Sequence, residues 1–288
     1  MKLNRTKKIL LVLTSFCLFY STAFIPLQNI PISWYCWKTE YKPLTALQNS
    51  IKMPNDYEKI TVSENSFSQW LRFFPAKSIG GKVLLYNGKE KVNQSAQYAI
   101  LDIDVGTKDL QQCADAVMRL RAEYLYSQKK YNEIKFNFTN GFECTYSKWV
   151  QGYRPKITGN KASWHLSAQP GNTYFVFKQY LNMVFNYAGT ASLEKELKPK
   201  PLKDILPGDV FIKGGHPGHA VIVMDVAINK QNEKIFLLAQ SYMPAQEIHI
   251  LKNPTNTNLS PWYSVSEITT IVNTPEWVFY SNQLKSFN

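Results

Sequence analysis

Residues 206–227, LPGDVFIKGGHPGHAVIVMDVA, restrict the possible folds of this chain more than any other segment. Two apolar runs, residues 209–213 and 219–227, flank a short stretch rich in glycine and proline. This pattern predicts two strands joined by a tight turn. His219 then stands where the second strand begins, at the edge of a predicted sheet.

An amphipathic helix is predicted to begin at Asp109, in the position of a helix cap, and to end near Gln128. One face of this helix carries residues at spacings of four, three and four, namely Cys113, Val117, Leu120 and Tyr124. The residues expected mostly off this stripe are Arg119, Arg121 and Glu123. Because the stripe marks a buried face, Cys113 is expected on the core side, within the start of the helix.

The other segments predict an α+β domain. Helices are expected over residues 66–74 and 174–187, with one further turn over 192–197. Strand-like runs cover residues 82–86, 98–104 and 235–240, with an edge strand over 247–251, and residues 131–170 are loop- and strand-like. Short connections between consecutive strands predict an antiparallel sheet. Residues 24–60 predict an irregular leader packed on a single domain over residues 61–288.

The first 23 residues have the pattern of a secretory signal peptide. Four cations without an acid precede an apolar run over residues 9–23, in which Ser21 and Ala23 suit signal peptidase. An uncleaved anchor is the alternative, but the apolar run is short for a membrane span. We expect cleavage near Ala23 and export to the periplasm, cell envelope or medium. The rest of the sequence has no apolar stretch of membrane length, so no transmembrane domain is expected in the mature chain.

The net charge of +12 would fall to +8 without the four cations of the signal (12 − 4 = 8). A basic balance of this size suits anionic polymers or a membrane surface. The lysines are scattered, however, and no motif that interleaves aromatic and basic residues is present. The charge therefore predicts a solvated basic surface, and no nucleic-acid partner.

Three cysteines remain after the predicted cleavage: Cys36, Cys113 and Cys144. An odd number in an exported protein leaves at least one thiol free or paired between chains. A Cys36–Cys144 bridge with Cys113 free is one possibility, and three reduced, partly buried thiols are the other. The oligomeric state is not predicted by the sequence.

Cys113 and His219 are together the two halves of a cysteine–histidine nucleophilic site. A helix start and a neighbouring imidazole both favour the thiolate, and His219 would act as base and then as acid. Backbone N–H groups near Cys113, with the side chain of Gln112 or Gln111, would hold an oxyanion. Gln240, at the end of the following strand, is the candidate that fixes the imidazole tautomer, with Gln246 and Asp225 as alternatives. A buried packing thiol and a core histidine are the competing interpretation.

Two further side chains are candidates for substrate binding. Arg154 lies in a loop-rich stretch with large aromatic residues, which would suit a sugar or peptide groove if exposed and would be core if buried. Tyr242 follows Gln240 and would line the same cleft. His216 and His219 lie three apart, but no nearby Cys or third His completes a metal site, so neither a metal nor a cofactor is predicted.

The phrases QC at the helix start, PGDVF and GHAVIV resemble the CHAP and NlpC-type cysteine amidases and peptidases. This resemblance implies a papain-like fold that cuts peptide or amide bonds, often in bacterial cell walls. It implies Cys113 as nucleophile, His219 as base, Gln112 as oxyanion partner and Gln240 as orienting residue. A cell-wall peptide or glycopeptide would be the partner.

Over most of its length the chain resembles an uncharacterised family of exported bacterial proteins, the domain of unknown function 4846. The phrases DLQQCADAVMRLRAEYLY, PGHAVIVMD, LLAQSYMPAQ and TPEW carry this resemblance, which implies export but no activity. Cys113 and His219 are 106 residues apart (219 − 113), so a papain-like core would hold a large insertion over residues 131–205. The expected function is an exported cysteine amidase or peptidase. The alternative is an envelope-associated binding protein that keeps the scaffold without turnover.

Overall fold

The computed structural model describes residues 30–287, and the predicted signal peptide over residues 1–23 lies outside them. The α-helices in this part are α1 (Leu47–Ser50), α2 (Phe67–Arg72), α3 (Cys113–Ser127), α4 (Tyr146–Val150), α5 (Tyr174–Tyr187) and α6 (Thr190–Glu196). Short 3-10 helices cover Ile32–Trp34, Pro43–Thr45, Tyr131–Glu133, Leu202–Asp204 and Ser281–Gln283.

The strands of the described residues form one large sheet and three separate hairpins. They are β1 (Tyr57–Lys59), β2 (Ala76–Ile79), β3 (Gln97–Leu101), β4 (Lys135–Asn137), β5 (Glu143–Thr145), β6 (Tyr153–Thr158), β7 (Lys161–Leu166), β8 (Lys198–Pro199), β9 (Val210–Lys213), β10 (His219–Asn229), β11 (Lys234–Gln240), β12 (His249–Leu251), β13 (Tyr263–Ser264), β14 (Ile271–Asn273), β15 (Val278–Tyr280) and β16 (Leu284–Ser286). The large sheet has the order β2-β3-β12-β11-β10-β9-β16-β8, with β1 beside β10 and β13 beside β11. Its pairings are antiparallel. The predicted α+β class with an antiparallel sheet is therefore confirmed.

Strands β10 and β11 lie at the centre of the sheet and are buried on both faces. On β10, Ala220 and Ile222 face the larger core, whereas Val221 and Val223 face a smaller core. A register shift between Val223 and Asp225 interrupts this alternation. Burial on both faces explains why this segment is a nearly continuous apolar run and does not alternate with polar residues.

Helix α3 packs on the face of β10 in the larger core, as its apolar stripe predicts. The expectation that Arg119 and Glu123 lie mostly off the buried face is wrong, because both side chains are buried. Arg119 Nε donates to Glu123 Oε1 at 3.1 Å, and the Tyr174 hydroxyl donates to the same oxygen at 2.7 Å. Tyr174 belongs to α5, so α5 covers a second side of α3. Arg119 and Glu123 lie on that covered side, where they pair with each other.

Three predicted elements differ from the observed ones. Residues 82–86 form isolated bridges at Leu84 and Leu85, because the turn at residues 85–88 follows at once and leaves no length for a strand. The strand over 247–251 is not an edge strand, because β12 lies between β11 and β3. Residues 131–170 contain a short helix, α4, that was not predicted.

The described part of the leader packs on the body of the protein. Trp34 and Tyr35 are buried in the larger core, and β1 extends the sheet beside β10. Cys36, Cys113 and Cys144 are free, so of the two possibilities left open by the sequence, three free thiols rather than a Cys36–Cys144 bridge describe these residues. Within residues 30–287, helices that are both long and apolar enough to cross a membrane are absent.

Candidate functional site

Cys113 is the first residue of α3 and sits at the wall of a cleft. The Gln112 backbone N–H donates to Asp115 Oδ2 at 3.0 Å, which ties the residue before the helix to its first turn. Asp109 is not the cap, because its Oδ1 accepts from the Ala245 backbone N–H at 2.7 Å and from Gln112 Nε2 at 3.2 Å. The helix therefore begins later than predicted, and Cys113 lies at its very start.

His219 begins β10 directly after a glycine-rich turn that returns the chain from β9. His219 pairs with Lys213 across the two strands. Gly215 has a φ of 104°, a left-handed conformation that glycine adopts without steric cost. The imidazole is 1% exposed and lies against the aromatic rings of Tyr242, Trp277 and Phe279, with ring centroids 4.8, 5.3 and 5.8 Å away.

Gln240 contacts His219 as the sequence predicts, with 2.9 Å between Gln240 Oε1 and His219 Nε2. Gln240 Nε2 donates to Glu276 Oε2 at 2.7 Å. A carboxylate only accepts hydrogen bonds, so the amide nitrogen must face Glu276 and the amide oxygen must face the imidazole. His219 therefore carries its proton on Nε2, and Nδ1 keeps a lone pair.

The candidate nucleophile and base share one cleft of about 390 Å³. Residues that line it include Gln112, Cys113, Asp115, His219, Tyr242 and Trp277. The backbone N–H groups of Ala114 and Ala220 lie near enough to the Cys113 thiol to lower its pKa. Because Ala220 directly follows His219, the thiol lies near the beginning of β10, in the cleft that His219 also lines.

Burial keeps both reacting groups uncharged at neutral pH. Burial, with a smaller effect from Asp115, raises the pKa of the Cys113 thiol to about 11, although the backbone N–H groups of Ala114 and Ala220 oppose this. Burial also lowers the pKa of His219 to about 4. The sequence predicted a stabilised thiolate at the helix start. The loss of solvation, however, raises the pKa of Cys113 more than the backbone N–H groups lower it. The pair therefore suits proton transfer during attack better than a permanent ion pair.

The two glutamines before Cys113 have different surroundings. Gln112 is half-buried and lines the cleft, where its amide nitrogen donates to Asp109. Gln111 is buried and lines a neighbouring cavity, and its Oε1 accepts from Arg119 Nη1 at 2.6 Å. Of these two oxyanion candidates, Gln112 is therefore the one beside the thiol.

The two predicted substrate-binding residues lie in different places. Tyr242 lines the cleft and contacts the imidazole. Arg154 does not line the cleft: its guanidinium lies 3.9 Å from the Trp149 ring centroid, and its Nη1 donates to the carbonyls of Trp149 and Tyr153. These contacts fit the interpretation of this cluster as packing under a loop.

The alternative orienting residues do not bond to His219. Asp225 forms ion pairs with Lys59 at 2.6 Å and Arg72 at 2.9 Å. Gln246 is buried beside Ser241, whose hydroxyl accepts from its backbone N–H. A group of three or more His, Cys, Asp or Glu side chains able to hold a metal ion is not found among residues 30–287.

Sequence reasoning missed the residues behind Gln240. Glu276 accepts from Gln240, Lys91 Nζ donates to Glu276 Oε2 at 2.5 Å, and Asn93 Nδ2 donates to Glu276 Oε1 at 3.0 Å. The available signal was the phrase TPEW, which contains Glu276 and the cleft residue Trp277. That phrase supported a family resemblance and was given no chemical role.

Comparison with known proteins gives one match. The family model of the domain of unknown function 4846 matches residues 47–286, which include the whole cleft and the sheet behind it. Searches of curated proteins and of solved structures gave no match to this chain.

Proposed function

The chain belongs to the family of the domain of unknown function 4846, and we propose that it is a cysteine amidase or peptidase. Its substrates would be peptide or amide bonds of the bacterial cell envelope. One observation carries this proposal: His219, oriented by Gln240, shares a cleft with a cysteine at a helix start. A thiol and an imidazole from two separate elements thus line one cleft, and an amide from a third element contacts the imidazole.

The arrangement of elements supports a papain-like, CHAP/NlpC-like core. In that arrangement a helix begins with the nucleophile and packs on an antiparallel sheet, a strand begins with the base, and the next strand ends with the orienting residue. Here α3, β10 and β11 supply Cys113, His219 and Gln240 in this order. Residues 131–205, with α4, α5 and α6, would then be the insertion into that core.

The first chemical step would join the Cys113 sulfur to the carbonyl carbon of the substrate. His219 Nδ1 would take the thiol proton as the bond forms, because both groups are neutral beforehand. Backbone N–H groups at the start of α3, with Gln112 Nε2, would hold the negative oxygen of the tetrahedral intermediate.

The second half of the reaction would return the proton. The imidazolium of His219 would protonate the leaving amine, and the carbon–nitrogen bond would break to leave a thioester on Cys113. Water, deprotonated by His219, would then attack the thioester and release the acid and the free thiol. The predicted signal peptide would export the protein to the compartment that holds such substrates.

A non-catalytic binding protein on the same scaffold is the second candidate function. The observation that favours it is the burial of the thiol: Cys113 is 8% exposed, and its pKa is raised to about 11. A sulfur so enclosed needs help from His219 to react. A ligand would then bind in the cleft against Tyr242 and Trp277 without turnover.

The test is cleavage of a mixture of cell-wall peptides and muropeptides by the purified mature protein, followed by mass spectrometry. Cys113→Ala and His219→Ala should each abolish cleavage, and Gln112→Ala should slow it by about 10²- to 10³-fold, as for loss of one oxyanion donor. Cys36→Ala, which changes a thiol outside the cleft lining, is the matched control and should cleave normally. Cleavage that survives Cys113→Ala would refute the proposal, and binding without cleavage by the native protein would favour the second candidate.

A further inference from the structure

Glu276, which does not line the cleft, connects Gln240 to Lys91 and Asn93 through hydrogen bonds. It lies in the turn between β14 and β15, which is closed by the Thr274 backbone N–H donating to the Trp277 carbonyl at 2.9 Å. The side chains of Glu276 and Lys91 are 13% and 7% exposed. An ion pair enclosed in this way has a fixed geometry, because its partners have little room to move.

We propose that Glu276 is a positioning residue for His219: it fixes the amide of Gln240 and thereby the proton on His219 Nε2. The proposal rests on the proposed function, in which His219 Nδ1 accepts the thiol proton. It assigns to the TPEW phrase a chemical task that the family resemblance does not supply.

The hydrogen bonds around the Gln240 amide allow one orientation. On its nitrogen side lie Glu276 Oε2, at 2.7 Å, and His249 Nε2, at 3.5 Å. His249 Nδ1 contacts the Glu247 carbonyl at 2.9 Å and must carry the proton there, so His249 Nε2 is an acceptor. Both neighbours therefore require N–H groups, and a flipped amide would bring its oxygen against two acceptors.

The same network acts on the charge of His219 through space. Glu276 raises the pKa of His219, and Lys91 lowers it. The other titratable groups that line the cleft or contact the imidazole are Cys113 and Asp115 on α3, His216 before β10 and Tyr242 after β11, and His249 on β12 interacts with it through space. Because an imidazolium forms during the reaction, the carboxylate would stabilise it and the ammonium would moderate that effect.

Three variants separate orientation from charge. Glu276→Leu removes the acceptor and the charge, whereas Glu276→Gln removes the charge and keeps an oxygen able to accept from Gln240. Lys91→Met removes the cation and leaves the carboxylate. Nitrogen-15 NMR of labelled protein reports which nitrogen of His219 is protonated. The rate at which iodoacetamide alkylates Cys113 reports how effectively His219 acts as a base. Neither measurement requires a substrate.

The native protein and Glu276→Gln should both hold the His219 proton on Nε2, and Glu276→Leu should give a mixture of tautomers. In Glu276→Leu the alkylation of Cys113 at pH 7 should slow by about 10- to 100-fold, by analogy with the loss of residues that orient metal-binding histidines. The pH at which His219 titrates should fall in Glu276→Gln and rise in Lys91→Met. General damage to the fold would not shift the two variants in opposite directions, and near-UV circular dichroism checks the fold directly.

Two results would overturn the inference. One is an unchanged tautomer and alkylation rate in a folded Glu276→Leu protein. The other, which applies if Glu276→Leu does not fold, is titration of His219 that shifts in the same direction, or not at all, in Glu276→Gln and Lys91→Met. Failure of the proposed function is a separate outcome: the tautomer would respond to Glu276 while His219→Ala left the alkylation of Cys113 unchanged.

Discussion

At the scale of single residues, the proposed chemistry depends on two buried side chains, those of Cys113 and His219. Cys113 would lose its proton only near pH 11 and His219 would gain one only near pH 4, so neither carries a charge between these values. In the proposed reaction, the starting state at pH 7 is therefore a neutral thiol and a neutral imidazole in the same cleft. Attack and proton transfer must then be coupled in one step.

This arrangement predicts an unusual pH profile for the reaction of Cys113 with iodoacetamide. His219 is a competent base above its pKa, so base-assisted reactivity should persist through pH 6.5, the ordinary histidine pKa, and should disappear only as the pH falls through about 4. The measurement is the alkylation rate of Cys113 from pH 3.5 to 8, followed by peptide mass spectrometry. A loss of reactivity centred near pH 6.5 would contradict the claim that burial lowers the pKa of His219.

The sequence predicted that Cys113, His219 and Gln240 belong to one site, and it missed the residues that bond to Gln240. Cys113, His219 and Gln240 could be found because each stands at an end of an element whose position the local sequence pattern predicts. Glu276 is 36 residues from Gln240, and a carboxylate in a turn ordinarily indicates surface. The substrate-binding role of Arg154 stays a prediction: its guanidinium lies on the Trp149 ring and does not line the cleft.

At the scale of elements, the glycine-rich turn before β10 sets the position of the imidazole. A Cβ atom at Gly218 would collide with the Gly215 carbonyl oxygen and would lie 2.5 Å from Thr190 Oγ1 and 2.8 Å from the Lys213 carbonyl oxygen. Two of these three atoms belong to the backbone and cannot rotate away. The turn therefore admits only glycine at this position.

Gly218→Ala should destabilise the protein by about 1–3 kcal/mol, the usual cost of overpacking, and should displace His219. Gly171→Ala is the matched control, because a Cβ there would meet only Val176 Cγ2, at an ordinary distance of 3.6 Å. Urea denaturation gives the free energy of unfolding, and alkylation of Cys113 reports the displacement. Equal stability and equal alkylation rates in the two variants would refute this role for the turn.

Element boundaries could be predicted where no long-range contact competes with the local capping signals. Helix α5 has the predicted bounds because the Thr173 side chain accepts from the Val176 N–H at its start and Gly189 follows its end. Helix α3 begins later than predicted because the Asp109 carboxylate bonds to Ala245, 136 residues away in sequence. Contacts of such long range have no local signature, and they decide which of two possible caps is used.

At the scale of the whole molecule, one buried carboxylate joins the N-terminal segment to the central sheet. Asp225, in the middle of β10, pairs with Lys59 on β1 and Arg72 on α2. The Asp225 side chain is fully buried, and those of the two cations are 19% and 9% exposed. Its loss would leave two largely buried cations without this partner.

Asp225→Ala should therefore lower the free energy of unfolding by about 3–5 kcal/mol, as for removal of one partner of a buried ion pair. Glu90→Ala is the control, because Glu90 pairs with Lys82 at 2.7 Å where both side chains are more than half exposed. This exposed pair should contribute less than about 1 kcal/mol. Chemical denaturation of both variants checks the contrast, and similar losses in the two would contradict this account of the sheet.

The pairing of Cys113 with His219 is tested most directly by the rate of iodoacetamide alkylation at neutral pH, in the native protein and in His219→Ala. Since His219 packs against Phe279, His219→Gln provides a second variant with more of the original volume. Cys36, whose pKa is also about 11, is the internal reference within each sample. Cys113 should react faster than Cys36 in the native protein, and it should slow in both variants while Cys36 stays unchanged. If Cys113 of the native protein reacts no faster at neutral pH than Cys113 of the two variants, the nucleophile–base couple does not exist.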